Sequence, residues 1–141
     1  MNPYLLAVLH ERESERNRMK LLYIGIGGFL GAVSRYLVSG LFQKWLDKPF
    51  PVGTLAVNVI GCFLIGLLSG LSQGRQLFTP EMRLFLFIGF LGGLTTFSTF
   101  IYEIFTFARD GQIIPSLANL TLHLVLGIAA IWAGFAISRI T

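Results

Sequence analysis

Residues 84–102 read LFLFIGFLGGLTTFSTFIY, nineteen positions without a single Asp, Glu, Lys or Arg. A helix needs about 20 apolar residues to cross the hydrocarbon core of a bilayer, so this stretch predicts a membrane span. The same signal recurs on either side. Residues 49–74 and 111–138 are also free of charge, and residues 21–43 carry one charge, Arg35. Short polar connectors at 44–48, 72–82 and 109–112 separate these runs. The pattern predicts an all-α membrane protein with four transmembrane helices near 21–43, 51–72, 83–107 and 113–138. Composition agrees: 54% of the 141 residues are apolar, 13% are charged, and mean hydropathy is +0.71. A soluble domain carries about a quarter charged residues, and a soluble chain this short needs them to cover its one small core. Most of this chain is therefore expected to face lipid, as a multi-pass protein of the cell membrane.

Composition also excludes several classes of function. The single cysteine, Cys62, permits no disulfide framework and no multi-cysteine metal site. Net charge is +4, yet Lys and Arg are scattered and absent from the long apolar runs. Nucleic-acid binding would gather them on one face, so no nucleic-acid partner is expected. No Ser/His/Asp set, paired carboxylates or activated cysteine is visible, so no enzyme is expected either. The glycines of residues 25–31 fail the G-x-G-x-x-G dinucleotide pattern, because Leu30 takes the last glycine position and no strand precedes them.

Residues 1–20 form a charged N-terminal extension to the four-helix domain of residues 21–141. Within it, residues 9–20 read LHERESERNRMK, a run that suits a short helix of alternating sign or a disordered tail. A signal peptide is a poor fit, since no apolar core leads to a small-residue cleavage site. Met19 stands directly before the first apolar run, and residues 1–18 are expected to be dispensable for function. Orientation follows Lys and Arg at the helix ends. From Met19 onward, Lys20, Arg75, Arg83 and Arg139 fall on the N-terminal side, against Lys44, Lys48, Arg109 and Arg35 on the other. Arg12, Arg16 and Arg18 of the extension would favour a cytoplasmic N-terminus, but the balanced domain favours insertion both ways round. Identical subunits could then pair as an antiparallel, dual-topology homodimer. Four spans enclose a pathway poorly on their own, which also predicts an oligomer. Three Gly-x-x-x-Gly pairs, Gly27/Gly31, Gly66/Gly70 and Gly89/Gly93, allow close helix approach within a subunit or between subunits.

The centre of the opening stretch is its unusual part. Gly92-Gly93-Leu94-Thr95-Thr96-Phe97-Ser98-Thr99-Phe100 sets two glycines against a cluster of hydroxyls. Glycine raises the entropic cost of helix, and Thr and Ser offer the backbone other partners. A broken third helix at residues 92–95 is expected, rather than a continuous one whose hydroxyls bond the preceding turn. Within lipid, backbone groups freed by a break must meet protein or line a cavity, as in transporters whose broken helices bind ions. Phe97 and Phe100 lie at i, i+3 on one face, interleaved with Thr96, Ser98 and Thr99. A phenyl ring is positive at its edge, so edge-on rings among hydroxyls can coordinate an anion without adding full charge.

Polar residues in the other helices recur at helical spacing. Thr54 and Asn58 do so in the second, Asn119 and His123 in the fourth, with Gly127 a turn further on. Buried amides are costly in lipid and usually face the bundle interior. Asn58 offers both a donor and an acceptor, fit to replace part of an anion's lost hydration; for Thr54, interhelical bonding is the better reading. His123 has no second ligand-type residue at metal-binding spacing, and reads as a polar lining residue.

Three stretches together resemble the Fluc (CrcB) fluoride channels. They are Gly27-Gly-x-x-Gly-Ala-x-x-Arg35-Tyr36, Gly53-Thr-Leu-x-x-Asn58-x-x-Gly61-x-Phe63, and Gly89-x-x-Gly92-Gly93-x-Thr95-Thr96-Phe97-Ser98-Thr99-Phe100, in order within residues 21–138. The resemblance implies antiparallel dual-topology dimers with two pores that export fluoride passively and relieve fluoride toxicity. It makes Asn58 the pore amide, Phe97 and Phe100 the edge-on rings, and Arg35 a vestibule arginine. It makes the backbone carbonyls of Gly92 and Thr95 ligands of a structural Na⁺ at the dimer two-fold. Asn119 and His123 take the place of the family's fourth-helix polar track, with His123 the departure. The competing class is a small four-helix proton-coupled multidrug or cation exporter, which needs a carboxylate deep in the membrane. The first helix has none, and the only acid inside a span is Glu103, near the end of the third.

Overall fold

The computed structural model describes residues 3–46, 49–73 and 77–140, and among them every regular element is helical. Four helical stretches are long and apolar enough to cross a membrane: Arg12–Leu46, Val52–Ser72, Pro80–Arg109 and Ile113–Ser138. The first belongs to α1, Pro3–Leu46, an uninterrupted helix of 44 residues. At 1.5 Å per residue it is about 66 Å long, more than twice the thickness of the hydrocarbon core. The charged run of residues 9–20 therefore continues the helix of the first span rather than forming a separate tail. Gln43 joins α1 to α2 (Val52–Ser72): its Nε2 donates to Phe50 O at 3.2 Å, and its Oε1 accepts from Gly53 N at 3.3 Å.

The third span is segmented. Thr79 accepts from Met82 N at 3.2 Å and caps α3, Pro80–Arg83, with proline at the first position, where its missing N–H does no harm. A π-helical segment, Leu84–Leu91, leads into the short α4, Gly92–Leu94. Gly92 and Gly93 remain helical; Thr95 (φ −88°, ψ 156°) and Thr96 (φ −148°, ψ 110°) are extended, and helix resumes as α5, Phe97–Arg109. Gly111 then takes φ +74°, a left-handed conformation that glycine adopts without steric penalty, and the chain turns into α6, Ile113–Ser138.

The glycine pairs explain the packing. A Cβ on Gly27 or Gly31 would run into backbone of Phe85 or Phe90, and one on Gly93 would lie 2.6 Å from Gly28 O. Gly66 abuts Ile131 backbone, Gly70 abuts the Ser138 side chain, and Gly134 abuts Phe63 backbone. All three Gly-x-x-x-Gly pairs thus lie in helix seams inside one chain, α1 against the third span and α2 against α6. Among the described residues only Val57, Leu91, Leu94 and Phe100 are buried apolar side chains, while Leu21, Phe29, Tyr36, Leu41 and Trp132 are among many exposed ones. That distribution suits lipid as the solvent.

Candidate pore-lining site

The two extended residues of the third span have lost helical partners, and side chains from other helices replace them. Thr95 still closes the preceding turn, its N–H donating to Leu91 O at 3.1 Å and its hydroxyl to the same oxygen at 2.9 Å. Thr96 does not. Its N–H donates to Asn58 Oδ1 at 2.8 Å, and its carbonyl accepts from Asn58 Nδ2 at 3.1 Å. One amide from α2 thus takes both backbone groups of one residue, as groups stranded in lipid require. The Thr96 side chain then caps α5, accepting from Thr99 N at 3.3 Å and lying 2.9 Å from Thr99 Oγ1. Arg35 Nη1 reaches Thr95 O at 3.4 Å from α1.

Arg35, Thr96 and Thr99 of this set border a cavity of about 440 Å³, lined also by Ser39, Gln43 and Thr54 among others. Among the described residues Arg35 is the one formal charge on its wall. A positive charge in a low-dielectric recess concentrates anions there.

Behind the cavity runs a second line of polar groups. The Thr54 hydroxyl donates to Glu103 Oε1, and Asn119 Nδ2 donates to Glu103 Oε2 at 3.4 Å. His123 Nδ1 lies 3.0 Å from Asn119 O, and Ser116 Oγ donates to Ile104 O at 3.0 Å. Asn119 is fully buried, and its Oδ1 and His123 Nε2 have no hydrogen-bond partner. Two orphaned polar atoms inside the bundle call for water or a ligand. Phe100 is buried against this line, its ring centroid 4.2 Å from that of His123. Phe97 lies 5.8 Å from Phe100, tilted by 58°, but is 74% exposed. One ring of the pair therefore faces the bundle and the other faces outward.

The sequence-predicted residues thus fall into groups. Asn58, Thr96, Thr99, Arg35 and Thr95 meet around the extended pair. Phe100, Asn119 and His123 meet around the second line. Ser98 and Phe97 are exposed and stand outside these bonds. Sequence reasoning set Glu103 aside as an acid near a helix end, whereas the fold makes it the hub between Thr54 and Asn119. The available signal was spacing: 100 and 103 lie at i, i+3 on one helical face.

Two carbonyls next to the extended pair are left short of donors. With Thr96 N–H given to Asn58, Gly92 O lacks the donor it would have in a continuous helix, and Gly92 is exposed. Thr95 O has only the long contact from Arg35.

Four helices long and apolar enough to cross a membrane, with polar side chains bonded between them, define a small multi-pass cell-membrane protein. The family model described as "CrcB-like protein, Camphor Resistance (CrcB)" matches residues 22–135, and the chain belongs to that family. It is 47% identical over 120 residues to the "Fluoride-specific ion channel FluC" of Chlorobium phaeobacteroides (strain BS1), covering 85% of this chain and 93% of that protein. Proteins of the same name from Maridesulfovibrio salexigens and Geotalea daltonii are 43% and 44% identical, over 86% and 84% of this chain and 96% of each relative.

Proposed function

We propose that this protein is a fluoride-specific ion channel that lets fluoride leave the cell down its gradient and so relieves fluoride toxicity. The reading is carried by the name shared by relatives 42–47% identical across more than four-fifths of the chain. The internal geometry suits it. Fluoride is small and strongly hydrated, so a narrow path must replace water with close donors. Arg35 draws the anion to the cavity, the second N–H of Asn58 and the hydroxyls of Thr96 and Thr99 supply donors, and Phe100 supplies a phenyl ring beside His123. Phe97 and Ser98, exposed on one chain, serve a path completed by a second copy.

The functional unit in this reading is an antiparallel dual-topology homodimer with two pores. Balanced Lys and Arg from residue 19 onward and the exposed Phe97 support it. Where the two copies meet, the carbonyls of Gly92 and Thr95 from each would hold a Na⁺ whose charge offsets their converging dipoles, which are costly without water.

The decisive measurement uses proteoliposomes and a fluoride electrode. Fluoride efflux is expected to be electrogenic, to run down its own gradient and to far exceed chloride efflux. Strict proton-to-substrate stoichiometry would instead favour a proton-coupled exporter working through Glu103, and comparable chloride flux would end the selectivity claim.

A further inference from the structure

At the other end of α2 from the Arg35 cavity, two arginines converge on consecutive residues. Arg83 Nη2 donates to Ser72 Oγ at 2.5 Å, and Arg139 Nη2 donates to Gln73 Oε1 at 2.8 Å. Each guanidinium has five N–H donors, so most of their capacity is left. Among the described residues neither arginine has a carboxylate at ion-pairing distance. Two cavities flank this point and share Ser69 and Gln73. One, about 460 Å³, is walled by Arg83, Leu84 and Phe87. The other, about 270 Å³, is an apolar groove between α2 and α6, walled by Gly66, Ile131, Trp132 and Phe135. The Arg139 guanidinium lies 4.8 Å over the Phe135 ring, which ties the charged end to the groove. Trp132 precedes Arg139 by seven residues, so its ring sits about 10 Å deeper along the helix. Indole rings are enriched near the membrane interface.

We propose that this end of the molecule binds an anionic phospholipid, its phosphate between Arg83 and Arg139 and an acyl chain in the α2–α6 groove against Trp132 and Phe135. Charge complementarity selects the headgroup, since paired cations between helices at a membrane boundary attract anionic lipid. The apolar groove selects a lipid over free phosphate, because a soluble ion would leave it unfilled. The site shares no residue with the Arg35 cavity and does not depend on what the channel conducts.

The test is lipid retention by purified full-length protein, offered phosphatidylglycerol or phosphatidylcholine with identical acyl chains and read by native mass spectrometry. Each arginine contributes about a fivefold preference, so the wild-type protein should favour phosphatidylglycerol about twenty-fivefold. The Arg83→Gln/Arg139→Gln double variant should lose that preference, the Arg83→Lys/Arg139→Lys variant should keep most of it, and Arg109→Gln at the opposite end should leave it intact. Equal retention of the two lipids by wild type, a preference that survives the double glutamine substitution, or competition by millimolar inorganic phosphate alone would overturn the proposal. So would efficient disulfide cross-linking of Trp132→Cys between two chains in a Cys62→Ala background, which would put a second copy of the chain on this face.

Discussion

Asn58 commits both ends of its side-chain amide to one residue, Thr96, thirty-eight positions away. Asn58→Asp removes the donor to Thr96 O and places a carboxylate against that carbonyl. An unsatisfied buried partner costs about 1–3 kcal/mol, and the charge also repels an anion, so fluoride flux should stop and the melting temperature should fall together. Flux near the wild-type rate in proteoliposomes would remove Asn58 from the pathway. The two phenylalanines should separate. Phe97→Ile, at an exposed site, is expected to reduce flux with the melting temperature unchanged. Phe100→Ile, at a buried site against His123, should reduce flux and stability alike, as a reshaped core residue does. Full flux in both variants would reduce the rings to packing. What was readable at this scale was residue type: an amide, hydroxyls and rings that lipid would not tolerate idle. Which of them meet was not readable, because Asn58 with Thr96 and Thr54 with Glu103 are pairings made by tertiary packing.

Helices meet here where glycine removes the side chain, and the prediction at this scale is positional. Gly27→Ala and Gly93→Ala place a methyl against backbone of the third span or of α1. Overpacking of this kind costs about 1–3 kcal/mol, and the backbone here has little room to yield. Both variants should melt early and shift on gel filtration. Gly25→Ala meets nothing within 4 Å and should hold or gain stability, up to about 1 kcal/mol from helix propensity alone. Equal behaviour of all three variants would show that the seam is looser than its geometry. That four spans exist was legible because charge is so costly in lipid that its absence marks them. The continuation of α1 through residues 9–20 was not, since charged residues tolerate helix once it leaves lipid. Nor did the glycine spacing reveal that its seams are internal to the chain, because the same motif serves contacts between chains.

For the whole molecule, the proposed dimer makes two demands that can be checked on purified protein. If a Na⁺ holds the carbonyls of Gly92 and Thr95, replacing all Na⁺ with a large organic cation should lower dimer stability and flux, and restoring Na⁺ should recover both. Unchanged values would leave those carbonyls to water or to Arg35. A chain beginning at Met19 should conduct as the full chain does, since the family match begins only at residue 22; loss of flux on truncation would give the extension a role in assembly. The extension has a geometric use of its own. Eighteen residues of α1 from Pro3 to Lys20 form a helical rod about 27 Å long, enough to stand clear of a detergent belt in projection images. Each rod is a built-in flag for the direction of the subunit that carries it. Particles with flags on opposite faces would record antiparallel pairing one molecule at a time, and particles with both flags on one face would record the reverse.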